Sequence, residues 1–360
     1  MKRATFLPVA RAELMPTPIA MASDAAIWKH AVTPMVRALL GPIGKGFTRH
    51  CETTEGLFSG DETSNLNGWS KAGDQGESKS VRLPYQATYY RTGNGAFIVK
   101  RDAVKIKAFG WYGDVLSGKP GELIFSFGLR DRRYDGTPRA NDTALLDYPY
   151  DEPQNIPLLI DGKQLSGTSL ETSLYSYLPG TGIAKACGDE VLEDFIARPF
   201  TYLDRPEEFL RLLFVAWNTG RYPGQVAVPI YDVGKQAHAA FEAVAKLCRY
   251  DFLETAPSHL HVYGWNGAKG YVCSDSRLAA RISDFQERAA ALKARVNLSR
   301  LQESWLFVLQ SLRPVELIPE PYYLGGPTWP QNNIDQNNLW LYKPLSEKAK
   351  QQVAFLNASA

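Results

Sequence analysis

HLHVYGWNGAKGYVC, residues 259–273, is the stretch on which the reading of this chain turns. Leu260 and Val262 alternate with His259, His261 and Tyr263. A period of two marks a strand, because successive strand side chains point to opposite faces. Reflecting the chain about the turn-like Gly264-Trp265-Asn266-Gly267 sets Cys273 across from His261 and Tyr271 across from Tyr263. The expected β-hairpin gathers Leu260, Val262 and Val272 on one face. His259, His261, Tyr263, Tyr271 and Cys273 share the other. A slip of one residue would destroy this sorting.

Two histidines at i, i+2 on one strand face can bind one metal ion, with Cys273 across the ladder as a third ligand. Such a set suits zinc with one position left open, where bound water becomes a hydroxide nucleophile. His259, His261 and Cys273 are therefore the candidate metal ligands, and a metal-assisted hydrolase is one reading of function. The competing reading is a packing or recognition face of aromatic and histidine cross-strand pairs. It is favoured because strong zinc signatures usually supply four spaced ligands.

Outward from this stretch, the composition is that of an ordinary globular protein. The chain has 360 residues, 44% hydrophobic and 22% charged, enough for one large core or two moderate ones. The net charge of +2, with the basic run of residues 130–139 interleaved by Asp131 and Asp135, argues against a nucleic-acid binder. Cys51, Cys187, Cys248 and Cys273 are widely spaced without a CxxC, as free thiols in a reducing compartment are. The N-terminus pairs Lys2-Arg3 with a cleavage-like Ala20-Met21-Ala22, but Pro8, Arg11, Glu13, Pro16 and Pro18 interrupt any apolar run between them. No stretch approaches the ~18 apolar residues of a membrane span. The expected location is the cytoplasm, with export by a route lacking a cleaved signal left open.

The expected fold class is α+β, with a largely antiparallel β N-terminal half and a helix-rich C-terminal half that meet near residue 185. One domain results instead if later strands extend the first sheet. Ser23-Asp24 opens a helix with Ile27, Ala31, Met35 and Leu39 spaced by four, and Pro34 kinks or splits it. Strands are expected at 47–51, 80–90, 95–109 and 122–129, with a hairpin turn at Thr92-Gly93-Asn94-Gly95 and a second at Asp161-Gly162. The polar, Gly-rich run 59–80 is longer than most ordered connections. Asp204-x-x-Glu207, with Pro206, reads as a capping box opening a helix to Trp217. A short strand is expected at 225–231 and a helix at 235–249. Asp275 caps a long helix carrying Leu278, Ile282, Phe285, Leu292 and Val296. A second helix, 297–312, pairs with it, and a last one spans 345–356.

No P-loop, GxGxxG or HExxH is present, and Gly167-Thr168-Ser169-Leu170 lacks the second glycine of a nucleophile elbow. The acidic set Asp131, Asp135, Asp142, Asp147, Asp151 and Glu152 reads as solvated turn charges rather than a glycosidase pair. His238 sits on a helical face with Phe241, Ala245 and Cys248 and is expected at the edge of the core. The tail mixes Tyr322, Tyr323, Trp329, Trp340 and Tyr342 with Asn332, Asn333, Asn337 and Asn338, the composition of a sugar-binding surface. An extended segment must bury something to offset its entropy, so packing is the plainer account of those rings. Together these features favour a protein-interaction or binding protein of the accessory, effector-type or toxin-neutralising bacterial kind. Its partner would be another protein, met through Tyr263, Tyr271, Trp329, Trp340 and Tyr342. Carbohydrate binding by the tail is the third reading.

Overall fold

A computed structural model describes residues 18–43, 47–54, 85–92, 95–101, 105–112, 122–131, 158–182, 189–225, 227–230, 232–257, 259–325 and 339–358. Helices and a mixed sheet make the fold α+β. Among the described residues the strands are β1 (Phe47–Thr54), β2 (Tyr85–Thr92), β3 (Gly95–Arg101), β4 (Lys105–Tyr112), β5 (Glu122–Asp131), β6 (Leu158–Ile160), β7 (Lys163–Leu165), β8 (Ser169–Ser176), β9 (Phe252–Thr255), β10 (Val272–Cys273) and β11 (Leu341–Pro344). The main sheet runs in the order β1-β2-β3-β4-β5-β8-β9-β11-β10, so strands from both sides of residue 185 share it. Pairing is antiparallel from β1 through β8, parallel at β8–β9, and antiparallel again through β11 to β10.

Local rules account for much of this. β2 and β3 pair antiparallel as the hairpin reading expects, with Thr92 opposite Gly95. The expected strand 95–109 is in fact two, β3 and β4, paired antiparallel. Ile106 and Ala108, two residues apart, are both buried as alternation requires, while Val104 lies outside the described residues. Asp161 and Gly162, at φ 50° and 74°, form the turn between β6 and β7, the left-handed conformation that Asp-Gly favours.

Among the described residues, three groups of buried side chains cover the sheet and fill the helical part. The N-terminal helices α1 (Pro18–Met21), α2 (Asp24–Ile27) and α3 (Thr33–Ile43), with a π-helical turn at Trp28–Val32, pack beside α6 (Val233–Leu247) on one face. Ser23 accepts from the backbone of Ala26 at 3.2 Å, and Ile27, Ala31, Met35 and Leu39 are all buried, as their spacing requires. The irregular turn directly precedes Pro34, where an ordinary helical ladder loses a donor. Phe127 of β5 stacks on Phe241 of α6 at 4.8 Å. Tyr250 ties this layer to the sheet: its hydroxyl donates to buried Asp131 at 2.8 Å and accepts from the backbone of Ile19 at 3.3 Å. On the opposite face, Phe252 and Tyr342 pack with the β6–β7 pair and with Ala349 and Val353 of the last helix, α10 (Glu347–Ala358). Their neighbours Leu253 and Leu341 enter the first layer, the alternation of two-sided strands.

The third group is helical: α4 (Glu190–Ala197), α5 (Pro206–Trp217), α7 (Leu260–Gly267), α8 (Ser276–Val296) and α9 (Arg300–Leu309) around Phe195, Phe209, Phe285 and Trp305. Asp275 caps α8, accepting from Leu278 at 2.9 Å. Ser299 and Gln302 form a full capping box on α9. The box expected at Asp204 is absent. Pro206 starts α5 with Arg205 as its cap residue and no side-chain bond, because Asp204 stands one residue too early. The strand expected at 225–231 reduces, among the described residues, to one bridge between Tyr177 and Pro229.

Candidate functional site

The hairpin expected at 259–273 does not form. Residues Leu260–Gly267 are the helix α7, and the intended turn Gly264-Trp265-Asn266-Gly267 lies inside it. Tyr271 binds back to the carbonyl of Asn266 at 3.3 Å, and Gly270, at φ 84°, makes the reversal. Val272 and Cys273 then pair with Tyr342 and Leu341, almost seventy residues further on, rather than with Val262 and His261. A helix needs one neighbour every three or four residues. Leu260, Tyr263 and Asn266 supply that stripe, which alternation in so short a run had masked.

The ligand set expected from the hairpin is divided accordingly. His259 and His261 stay together, their rings parallel within 9° at 5.9 Å. The thiol of Cys273 is spent elsewhere, donating to the carbonyl of Asp275 at 3.0 Å and facing the hydroxyl of Tyr263. Among the described residues no group of three His, Cys, Asp or Glu side chains stands close enough to hold a metal ion. Burial pushes the Cys273 thiol up to about 11 and the Tyr263 hydroxyl up to about 12, so both are protonated near neutral pH.

What converges on α7 is a set of rings. Phe200 lies parallel to His259 at 6.2 Å, and Tyr222 covers His261 at 4.5 Å. The order Phe200–His259–His261–Tyr222 is a four-ring stack across the N-terminus of α7. Gly224, at φ 79°, closes it from the side: a Cβ there would lie 2.3 Å from His259 Nε2. On the other flank, Trp265 meets His238 of α6 at 4.5 Å, and His238 meets Tyr271 at 5.6 Å. Three of the five histidines thus bear on one eight-residue helix.

All three imidazoles are held neutral. Burial takes His259 down to about 3, helped by the neighbouring His261, and takes His261 down to about 4. Burial also lowers His238 to about 4; Lys343 and Lys269 push the same way, against Asn266 and Glu242. His238 Nδ1 and His261 Nδ1 are buried without a hydrogen-bond partner. Such orphans are uncommon in native interiors and mark a site under tension.

Of the aromatic residues expected at a partner surface, Tyr271 and Tyr342 are buried, Tyr263 is half-buried between the sheet-side and helical groups, and Trp340 is half-buried with its backbone bonded to Ser274. Trp329, like residues 59–80, lies outside the described residues. Tyr342 belongs to β11, where it pairs with Val272 of β10 and Glu254 of β9. A different aromatic group lies at the edge of the helical core, with Phe214 and Tyr322 half-buried and Trp217 buried. Phe214 and Trp217 of α5 meet Tyr322 at 5.9 and 5.4 Å, Tyr323 follows it 39% exposed, and Val215 is 45% exposed. The single-residue spacing between Val215 and its helix core partners could have flagged it, since an apolar side chain off the buried stripe is one that water sees.

No helix among the described residues is long and apolar enough to cross a membrane. Neither protein-family models, nor curated proteins, nor solved structures yield a match to this chain.

Proposed function

We propose that this protein acts by binding another protein, and that the contact is made where α5 meets the 315–323 segment. The observation that carries this reading is the half-buried pair Phe214 and Tyr322 over buried Trp217, with Val215, Leu317 and Tyr323 exposed on the same two segments. Aromatic side chains offer large, rigid contact area at low entropic cost, and they are enriched at protein interfaces. The aliphatic flanks favour an apolar protein surface over a sugar, which asks for amide and carboxylate hydrogen bonders beside the rings. The state of the buried titratable groups supports the same reading. A protonated thiol and histidines whose charged form burial disfavours while α7 stays packed are poorly placed for nucleophilic or acid–base work near pH 7.

The test is chemical cross-linking in native lysate with the wild type and with a Val215→Glu, Tyr323→Ser variant of unchanged melting temperature. The wild type is expected to capture a defined protein through peptides of α5 or 315–323, and the variant to lose it at least tenfold. Equal capture by both would overturn the assignment.

A further inference from the structure

We propose that α7 is an acid-released latch: charging of the imidazoles that clamp its two flanks detaches the helix from the sheet-side and helical cores it bridges. The latch rests on four features of the structure.

The first is position. Leu260 belongs to the helical core, and Tyr263 packs against both that core and the sheet-side one. Trp265 leans on α6 through Gly234, where a Cβ would come within 3.0 Å of the indole. The helix therefore sits at the seam between two separately packed groups.

The second is intrinsic weakness. The sequence LHVYGWNG has eight residues, two of them glycine, and the N-cap His259 makes no side-chain capping bond. A helix this short does not persist alone in water, and each glycine weakens it further. Its order comes from the rings around it.

The third is the way those rings are satisfied. His238 Nδ1 and His261 Nδ1 are already buried without partners. A protonated His261 must place a charged N–H on that nitrogen, which no side chain nearby accepts, and at His238 the Asn266 side chain and Glu242 offset the new charge only in part. Water has to enter, and it can do so only by separating the stack. Cation–ring attraction to Tyr222 and Phe200 offsets this in part. Two adjacent imidazolium rings 5.9 Å apart repel.

The fourth is the charge environment. From the Pro199–Tyr202 turn, Phe200 brings no charge to His259; Tyr202 of that turn is engaged with Asp194. From the 221–225 loop, Arg221 brings a further cation, its Nη2 donating to the carbonyl of Thr181 at 2.8 Å. The α9 helix, packed along α7, carries Arg300 and Glu303, and neither acts on His259 or His261. On the α6 side, Lys343 and Lys269 oppose a charge on His238, and Glu242 is shared between Lys343 and Lys246. Cys273 and Tyr263 are protonated and neutral. Of the charges acting on these three rings, Glu242 alone favours a cation, and it does so at His238 against Lys343 and Lys269.

Hydrogen–deuterium exchange, corrected for the pH dependence of intrinsic exchange, tests the latch from pH 7.5 to 4.5. The wild type is expected to lose protection in peptides covering 259–273 at least tenfold between pH 6.5 and 5, while peptides of α8 and β5 stay protected. A His259→Phe, His261→Phe variant keeps the stack without its protons and should hold 259–273 closed to at least one pH unit lower. His238→Phe serves as the second variant if that pair misfolds at pH 7.5. Simultaneous loss in 259–273, α8 and β5, or the same opening pH in the wild type and whichever variant folds, would overturn the proposal.

Discussion

The α8–α9 pair and the α7 segment lie side by side in the same helical core, yet they are held by different means. The α8 helix has 21 residues, a side-chain cap at Asp275 and a five-residue buried stripe running from Leu278 to Leu292. The α9 helix adds a complete capping box at Ser299. These two carry their own instructions. The α7 helix has eight residues, no side-chain cap and two glycines, and it is helical because Phe200, Tyr222, His238 and Gly224 surround it. The lesson is that local stability and sensitivity to surroundings trade against each other. A self-sufficient helix tolerates a change in its neighbours, and one made by its neighbours responds to them.

Four perturbations would break or sharpen that contrast. Trp305 of α9 is fully buried, stacks on Phe195 at 5.7 Å and donates Nε1 to the carbonyl of Arg221 at 2.7 Å. Trp305→Ala should cost about 3–5 kcal/mol in urea denaturation, from the cavity it leaves and the bond it removes. A loss below ~1 kcal/mol would mean that the helical core collapses around gaps far more easily than its packing implies.

Acid comes next. His238, His259 and His261 have native values below the unfolded 6.5, so the unfolded chain binds their protons first. Their contribution is intact above about pH 6.5 and is lost as pH falls toward 4, by ~3 kcal/mol for His259 and for His261 at pH 4 and by less for His238, which solvent and Glu242 screen in part. Denaturation midpoints measured at half-unit steps should fall steeply through that window. A flat profile from pH 6.5 to 5 would show that these rings are wetter than the stack requires.

Gly224→Ala sharpens the α7 side. The added carbon would meet His259 Nε2 at 2.3 Å, and the backbone φ of 79° disfavours any side chain. The expected cost is about 1–3 kcal/mol, accompanied by early exchange in 259–267. An unchanged melting temperature would show that the 221–225 loop yields freely and does not clamp the ring.

Asp275→Ala is the smallest change. Losing the bond to Leu278 should cost α8 about 1 kcal/mol, with fraying confined to its first turn. Spread of that fraying into α7 would contradict the independence claimed for the longer helix.

The sequence by itself determined the parts whose instructions are local. Asp275 and the Leu278, Ile282, Phe285 stripe specify α8, Asp161-Gly162 specifies a hairpin turn, and the four-residue spacing from Ile27 to Leu39 specifies the buried N-terminal helices. In each case, cap, turn chemistry or periodicity is satisfied within a few residues. The tertiary structure alone decided the candidate site. His259, His261 and Tyr263 alternate as a strand would, but their eight-residue run is too short for period to choose between strand and helix. The choice fell to partners far away. The segment 341–344 took Val272 and Cys273 as its strand neighbours, and Phe200, Tyr222 and Gly224 enclosed the histidines. Long-range pairing leaves no local trace, because its free energy comes from surfaces that meet only once the chain has folded.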